Sequence, residues 1–199
     1  MKILVALFLM FILICKQSFA MSLMNIEVIK EAQQYGVSGA KMEWEEFLLP
    51  WISYEEKTPK IDEFSERAYL YTNFLLLATD AREKILKGAI PQLEDSEKIL
   101  TNYNGYLTFS VTLYGTQEKF GQRAGVALKQ GKTLIKAYQT VIPPLAEKMV
   151  SHSDRTTYRL QCYFYFLEKD IVLDQPIILS LITNDKKKRN FYFDLTQFK

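Results

Sequence analysis

The chain has a single histidine, His152, set among Ser151, Ser153 and Asp154. One histidine with no second histidine or cysteine beside it cannot make a zinc site of the usual composition. A serine triad would have to use that same residue, and no Gly-x-Ser-x-Gly turn presents a nucleophile. His152 is therefore expected in an exposed loop. Cys162 alternates with Tyr158, Leu160, Phe164 and Phe166, which puts its thiol on the buried face of a strand, inert for lack of anything to lower its pKa. The acids Glu45, Glu46, Glu55, Glu56 and Asp80 remain, and a glycosidase-type hydrolase needs only two converging carboxyls. Paired acids on short amphipathic helices ordinarily form solvated faces, so the balance leans against an enzyme. The expectation is no catalytic residue, no metal and no cofactor.

Residues 125–133, GVALKQGKT, approach a phosphate-binding loop but carry five residues between the glycines where that motif has four. They also join two strand-like runs, and read as a hairpin turn.

Binding is the other chemistry on offer. Trp44, Phe47, Leu48, Trp51 and Tyr54 recur at helical spacing, so Trp44 and Trp51 could line a groove against the next helix. Asn73 and Asp80 fall on a polar stripe of that helix and complete the ligand-binding candidates. Lys186, Lys187, Lys188 and Arg189 are the densest positive charge, placed where a hairpin should turn, and are the candidates for meeting an anionic partner.

The elements that must position these residues follow from periodicity. Residues 62–87 read as one long central helix, with Leu70, Phe74, Leu77, Ala81 and Ile85 on one face and Phe64, Ala68, Tyr71, Leu75 and Ala78 beside them. Thr58-Pro59 suggests its start and Gly88 its stop. The pairs Glu63/Arg67, Asp80/Lys84 and Glu83/Lys87 support it at i,i+4. Before it, residues 25–36 read as a helix capped by Asn25 and closed by Gly36, and residues 42–57 as two short helices kinked at Pro50. After it comes a helix from Leu93 to Leu100. From Asn104-Gly105 the period becomes two. Strands are expected over residues 106–114, near Val126 and Leu128, over 133–141, 157–166, 177–183 and 190–195, with a long loop at 143–157 and a five-residue hairpin loop at 184–188.

Residues 1–20 have a basic start at Lys2, an apolar run and a small-residue end at Ala20, the layout of a secretory signal peptide cleaved after Ala20. A run of that length falls short of the roughly 20 residues a bilayer span needs. Lipid attachment at Cys15 is disfavoured because Ile14 precedes it, where a small residue is wanted. Among the 199 residues, 48% are hydrophobic and 24% charged, an ordinary globular composition. Residues 21–103 hold 15 acidic and 9 basic residues, whereas 104–199 hold 8 and 14. The mature chain is thus neutral overall, against nucleic-acid binding, with halves of opposite sign that could dock through charge.

The fold expected is α+β: an N-terminal helical layer of three to five helices, residues 21–103, packed on a C-terminal antiparallel β-sandwich of immunoglobulin-like style, residues 104–199. The function expected is an exported protein of the bacterial envelope, periplasmic or secreted. It would be a non-enzymatic binding or interaction module, with an envelope protein or a small ligand as partner and no membrane span in the mature chain. The alternatives are a carrier of a small apolar ligand near Trp44 and Trp51, or a carboxylate-based hydrolase.

Overall fold

The computed structural model describes residues 25–149 and 156–198. Residues 1–20, expected as a leader, with Cys15 and Ala20, and His152, expected in a loop, lie outside the described residues.

Helix α1, Ile26–Ser38, starts where Asn25 accepts a hydrogen bond from the Val28 amide at 2.9 Å. It runs through Gly36 instead of stopping there. A Cβ at Gly36 would lie 2.0 Å from the Ala78 carbonyl oxygen, so glycine lets α1 cross a second helix at close range. Next come α2, Trp44–Leu48, one 3₁₀ turn, Leu49–Trp51, and strand β1, Ile52–Tyr54. The kink at Pro50 is present, but a strand takes the place of the second helix.

The long helix expected over residues 62–87 is two elements. Strand β2, Arg67–Tyr71, precedes helix α3, Asn73–Leu86. Thr72 divides them: its hydroxyl accepts from the Leu75 amide at 3.2 Å and caps α3. Thr58-Pro59 therefore starts no helix, and Glu63/Arg67 is no helical pair. Within α3 the expected pairs exist, Lys84 to Asp80 at 2.6 Å and Lys87 to Glu83 at 3.2 Å. Helix α4, Leu93–Tyr103, opens on a Gln92/Asp95 capping box and extends one turn past Leu100.

Two antiparallel sheets follow. The first has the order β1-β2-β3-β8-β6, with β7 also on β8; the second is β10-β9-β4-β5. Their strands are β3 Tyr106–Gly115, β4 Gly125–Gln130, β5 Thr133–Lys136, β6 Gln139–Val141, β7 Glu147–Met149, β8 Thr157–Leu167, β9 Ile177–Ile182 and β10 Lys188–Phe193. Residues 133–141, expected as one strand, split at Ala137 and Tyr138 so that β5 and β6 serve different sheets. The 143–157 stretch contributes β7. Both expected hairpins, β4/β5 and β9/β10, are present, but the five-residue turn of the latter falls at 183–187 instead of 184–188, so that Lys188, expected in the loop, begins β10; Lys186 in the turn has φ 61°. The sheets meet at a corner, where Glu55 bridges Phe191 and the Glu56 amide donates to the Asn190 carbonyl at 2.9 Å.

The chain is thus α+β, with helices against two open antiparallel sheets. Residues 21–103 are not helical throughout, since β1 and β2 extend the first sheet beyond β3. Alternation explains the burial. Leu107, Phe109, Val111 and Leu113 of β3 and Leu160, Cys162, Phe164 and Phe166 of β8 are buried on one face, as expected for Cys162, and join the side chains of β9 and β10 in one core. Burial pushes the Cys162 thiol up to about 12, so no thiolate forms at neutral pH. Among the described residues no helix is long and apolar enough to cross a membrane.

Candidate functional site

The opposite face of the first sheet is polar and aromatic. Pairing registers bring Arg67, Thr112 and Gln161 into one row, Tyr69, Ser110 and Tyr163 into the next, and Tyr71, Thr108 and Tyr165 into a third. A cleft of about 560 Å³ lies over the first two rows, walled by Trp44, Glu45 and Leu48 from α2 and by Pro143, Leu145 and Glu147 from the opposite strap. The Thr112 hydroxyl donates to Gln161 Oε1 at 2.7 Å, and Gln161 Nε2 donates to Ser110 Oγ at 2.5 Å. Arg159, at the cleft's rim, pairs with Glu147 at 2.7 Å. Arg67 donates through Nη1 to the Ser65 carbonyl at 3.3 Å and is hydrogen-bonded to the Tyr69 and Tyr114 phenols, while its buried Nε has no acceptor among the described residues. Burial, with Tyr163, Tyr69 and Glu83 as neighbours, pushes the Tyr71 phenol up to about 12, so it stays neutral and able to donate.

A second hollow, of about 540 Å³, opens between α1, the 3₁₀ turn, the start of α3 and the C-terminal tail. Its walls are largely aromatic: Tyr35, Trp51, Phe74 and Phe198, with Pro50 beside them. Trp51 stacks on Phe74 at 6.1 Å and meets the Tyr35 ring edge-on at 5.4 Å. The Tyr35 hydroxyl donates to the Phe47 carbonyl at 3.0 Å, which holds the ring in place. The Trp51 indole N–H is buried without an acceptor among the described residues. A group of this kind costs stability unless something completes it.

Trp44 and Trp51, expected on one groove, therefore face different hollows. Phe47 and Leu48 are fully buried between them, and the 3₁₀ turn at Pro50 carries Trp51 round to the far side. Asn73 is the first residue of α3, and its buried Oδ1 lacks a partner among the described residues. Asp80 is bound by Lys84, which also reaches Asp95 at 2.9 Å; neither Asn73 nor Asp80 lines the two hollows. Lys186, Lys187 and Lys188 are exposed at the β9/β10 turn, but Arg189 is 1% exposed and points inward. The acids do not converge. Glu45 walls the cleft, Glu56 accepts from Asn190 Nδ2 at 2.9 Å on the sheet corner, and Asp80 is on α3. Among the described residues no group of three His, Cys, Asp or Glu side chains could hold a metal ion.

Spacing marked none of Ser110, Thr112, Gln161 or Tyr163 as a site residue, and it assigned Arg67 and Tyr71 to a helix that the structure replaces there with β2. The signal was the outward phase of the same alternation that located the core, in which even-numbered β3 positions and odd-numbered β8 positions carry hydroxyls, amides and phenols. No family model, no curated protein and no solved structure matches the chain.

Proposed function

We propose that this is an exported, non-enzymatic binding module of the bacterial envelope whose aromatic pocket takes a small, largely apolar ligand. The observation that carries the reading is the pocket walled by the four rings of Tyr35, Trp51, Phe74 and Phe198. The layout of residues 1–20 supports export. The antiparallel sheets, read as a sandwich of immunoglobulin-like style, serve as the frame.

Each tryptophan reports on a different hollow, which makes the test direct. In a Trp44→Phe variant only Trp51 emits. Prodan, a naphthalene bearing a ketone, is expected to change that emission saturably at micromolar concentration. Ser38→Phe, placing a ring over an exposed residue at the pocket mouth, is expected to weaken binding at least 10-fold. Prodan titrations that never saturate, or that are indifferent to Ser38→Phe, would remove this pocket from the account.

A second reading rests on the exposed lysine turn, Lys186 to Lys188, as the contact for an anionic envelope protein. Crosslinked co-purification of the native chain from the envelope fraction is expected to recover a reproducible protein that is lost when the three lysines become serine. Equal recovery with both chains would dismiss the turn.

A further inference from the structure

The cleft on the first sheet is a different kind of site from the aromatic pocket, and we infer that it binds an acidic sugar, a pyranose ring carrying a carboxylate. This rests on the reading of the chain as a binding module, not on the ligand of the aromatic pocket.

Charge is the first part of the argument. Of the charged residues that line the cleft, Arg159 and Glu147 pair with each other, Glu45 stands in the α2 wall, and Arg67 on the sheet floor has no ion-pair partner among the described residues. Its nearest acid in sequence, Glu66, is turned to the other face of β2 and taken by Arg189 at 2.8 Å. Its guanidinium meets only neutral partners, the Ser65 carbonyl and the Tyr69 and Tyr114 phenols, and its Nε is buried, so what Arg67 brings to the cleft is a charge that no described carboxylate neutralises. An arginine fork matches a carboxylate in shape and charge.

The floor supplies the second part. Ser110 Oγ accepts from Gln161 and keeps its own O–H to donate, Gln161 keeps one amide N–H, and Thr112 keeps a lone pair after donating. These are fixed by strand register and by one another, so they meet a ligand already oriented. A row of alternating donors and acceptors suits vicinal hydroxyls. Tyr163, an exposed ring, and Trp44 line the cleft beside this row; Trp44 is already stacked on Phe47 at 5.7 Å and met by the Arg82 guanidinium at 5.2 Å, so Tyr163 supplies the open apolar surface for the C–H side of a pyranose. A free inorganic anion would use Arg67 but neither the hydroxyl row nor the rings. A neutral sugar would leave the Arg67 charge without a counter-charge. The cleft volume of about 560 Å³ lies within the range of small-molecule sites.

The test uses the full chain with Trp51→Phe, so that only Trp44 reports. D-glucuronate, D-galacturonate and D-mannuronate are titrated beside D-glucose, D-galactose, D-mannose, acetate and inorganic phosphate. At least one uronate is expected to bind saturably, 10-fold or more tighter than its neutral parent and than acetate or phosphate. Arg67→Gln is expected to abolish that preference, Arg67→Lys to keep part of it, and prodan binding at Trp51 to be unchanged by either when read with Trp44→Phe. Unchanged prodan binding also certifies that these variants are folded. The inference is overturned if no uronate binds, if neutral sugars bind as well as uronates, if acetate or phosphate competes equally, or if Arg67→Gln leaves the preference intact. A prodan failure with uronate binding intact would sink only the aromatic-pocket reading.

Discussion

Replacing Arg189 by alanine is expected to destabilise the protein by about 3–5 kcal/mol, the usual consequence of removing one member of a buried charge cluster. Its guanidinium donates through Nε to both Glu66 oxygens at 2.8 Å and through Nη2 to Asp185 at 3.1 Å and to the Tyr114 carbonyl at 3.3 Å. Nη1 bonds Thr183, and the group lies over the Phe120 ring at 5.7 Å. One side chain thus ties β2, β3 and the β9/β10 turn across one end of the core. Alanine would leave Glu66 and Asp185 half-buried without a counter-charge. Urea denaturation at pH 7 should show the lower midpoint with an unchanged slope; a shift under about 1 kcal/mol would mean that water screens the cluster.

The same variant carries a pH signature. Burial works to raise the Asp185 pKa, but hydrogen bonds from Arg189, Thr183 and the Lys187 amide outweigh it and hold it at about 2, below the ordinary 3.8. A carboxyl depressed in the folded state contributes stability above its unfolded pKa and loses it as pH falls through the folded one. The gap between wild type and Arg189→Ala is therefore expected to narrow as pH falls from about 4 towards 2. A gap that stays constant over that window would show that Asp185 is not coupled to Arg189.

Phe109→Ala is expected to cost a similar amount, about 3–5 kcal/mol, through lost burial and an unfilled cavity. Phe109 is wholly buried in β3, with its ring 5.8 Å from Phe166 of β8 and 5.3 Å from Phe193 of β10. It is where the first sheet meets the second, and Phe193 in turn reaches Phe198, a wall of the aromatic pocket, at 6.1 Å. Calorimetry should register a fall in Tm of roughly 6–20 °C for a domain of this length, with Phe109→Leu costing less than half as much. A small shift for alanine would mean that the sheets close over the gap and that the ring is not their contact.

The strands after Asn104 were readable because alternation has only two phases, so a run such as residues 106–113 declares which side chains face the core. Residues 62–87 misled for a physical reason. In Ala68-Tyr69-Leu70-Tyr71, the buried Ala68 and Leu70 fit a period of two, while Leu70 and Tyr71 also fit the i,i+4 spacing to Phe74 and Leu75, and three or four residues cannot separate the periods. Thr72 was the deciding residue, and a threonine inside a hydrophobic run signals a cap only once the flanking strand has found a partner in β3. Gly36 misled likewise, since a glycine that ends a helix and one that lets a neighbour approach look alike until Ala78 is beside it.

The sequence by itself determined the α+β class, the buried face of β3 and β8, the fate of Cys162, the two hairpins and the i,i+4 pairs of α3, because each depends on residues close in the chain or on a simple period. Only the tertiary structure decided that Trp44 and Trp51 part company, that Arg189 is a core residue tied to Glu66 over 123 positions, and that Arg67 shares a row with Thr112 and Gln161. Those facts follow from strand register and sheet order, which bring together residues far apart in sequence, and register is set by the packing of the whole buried face and not by any one segment.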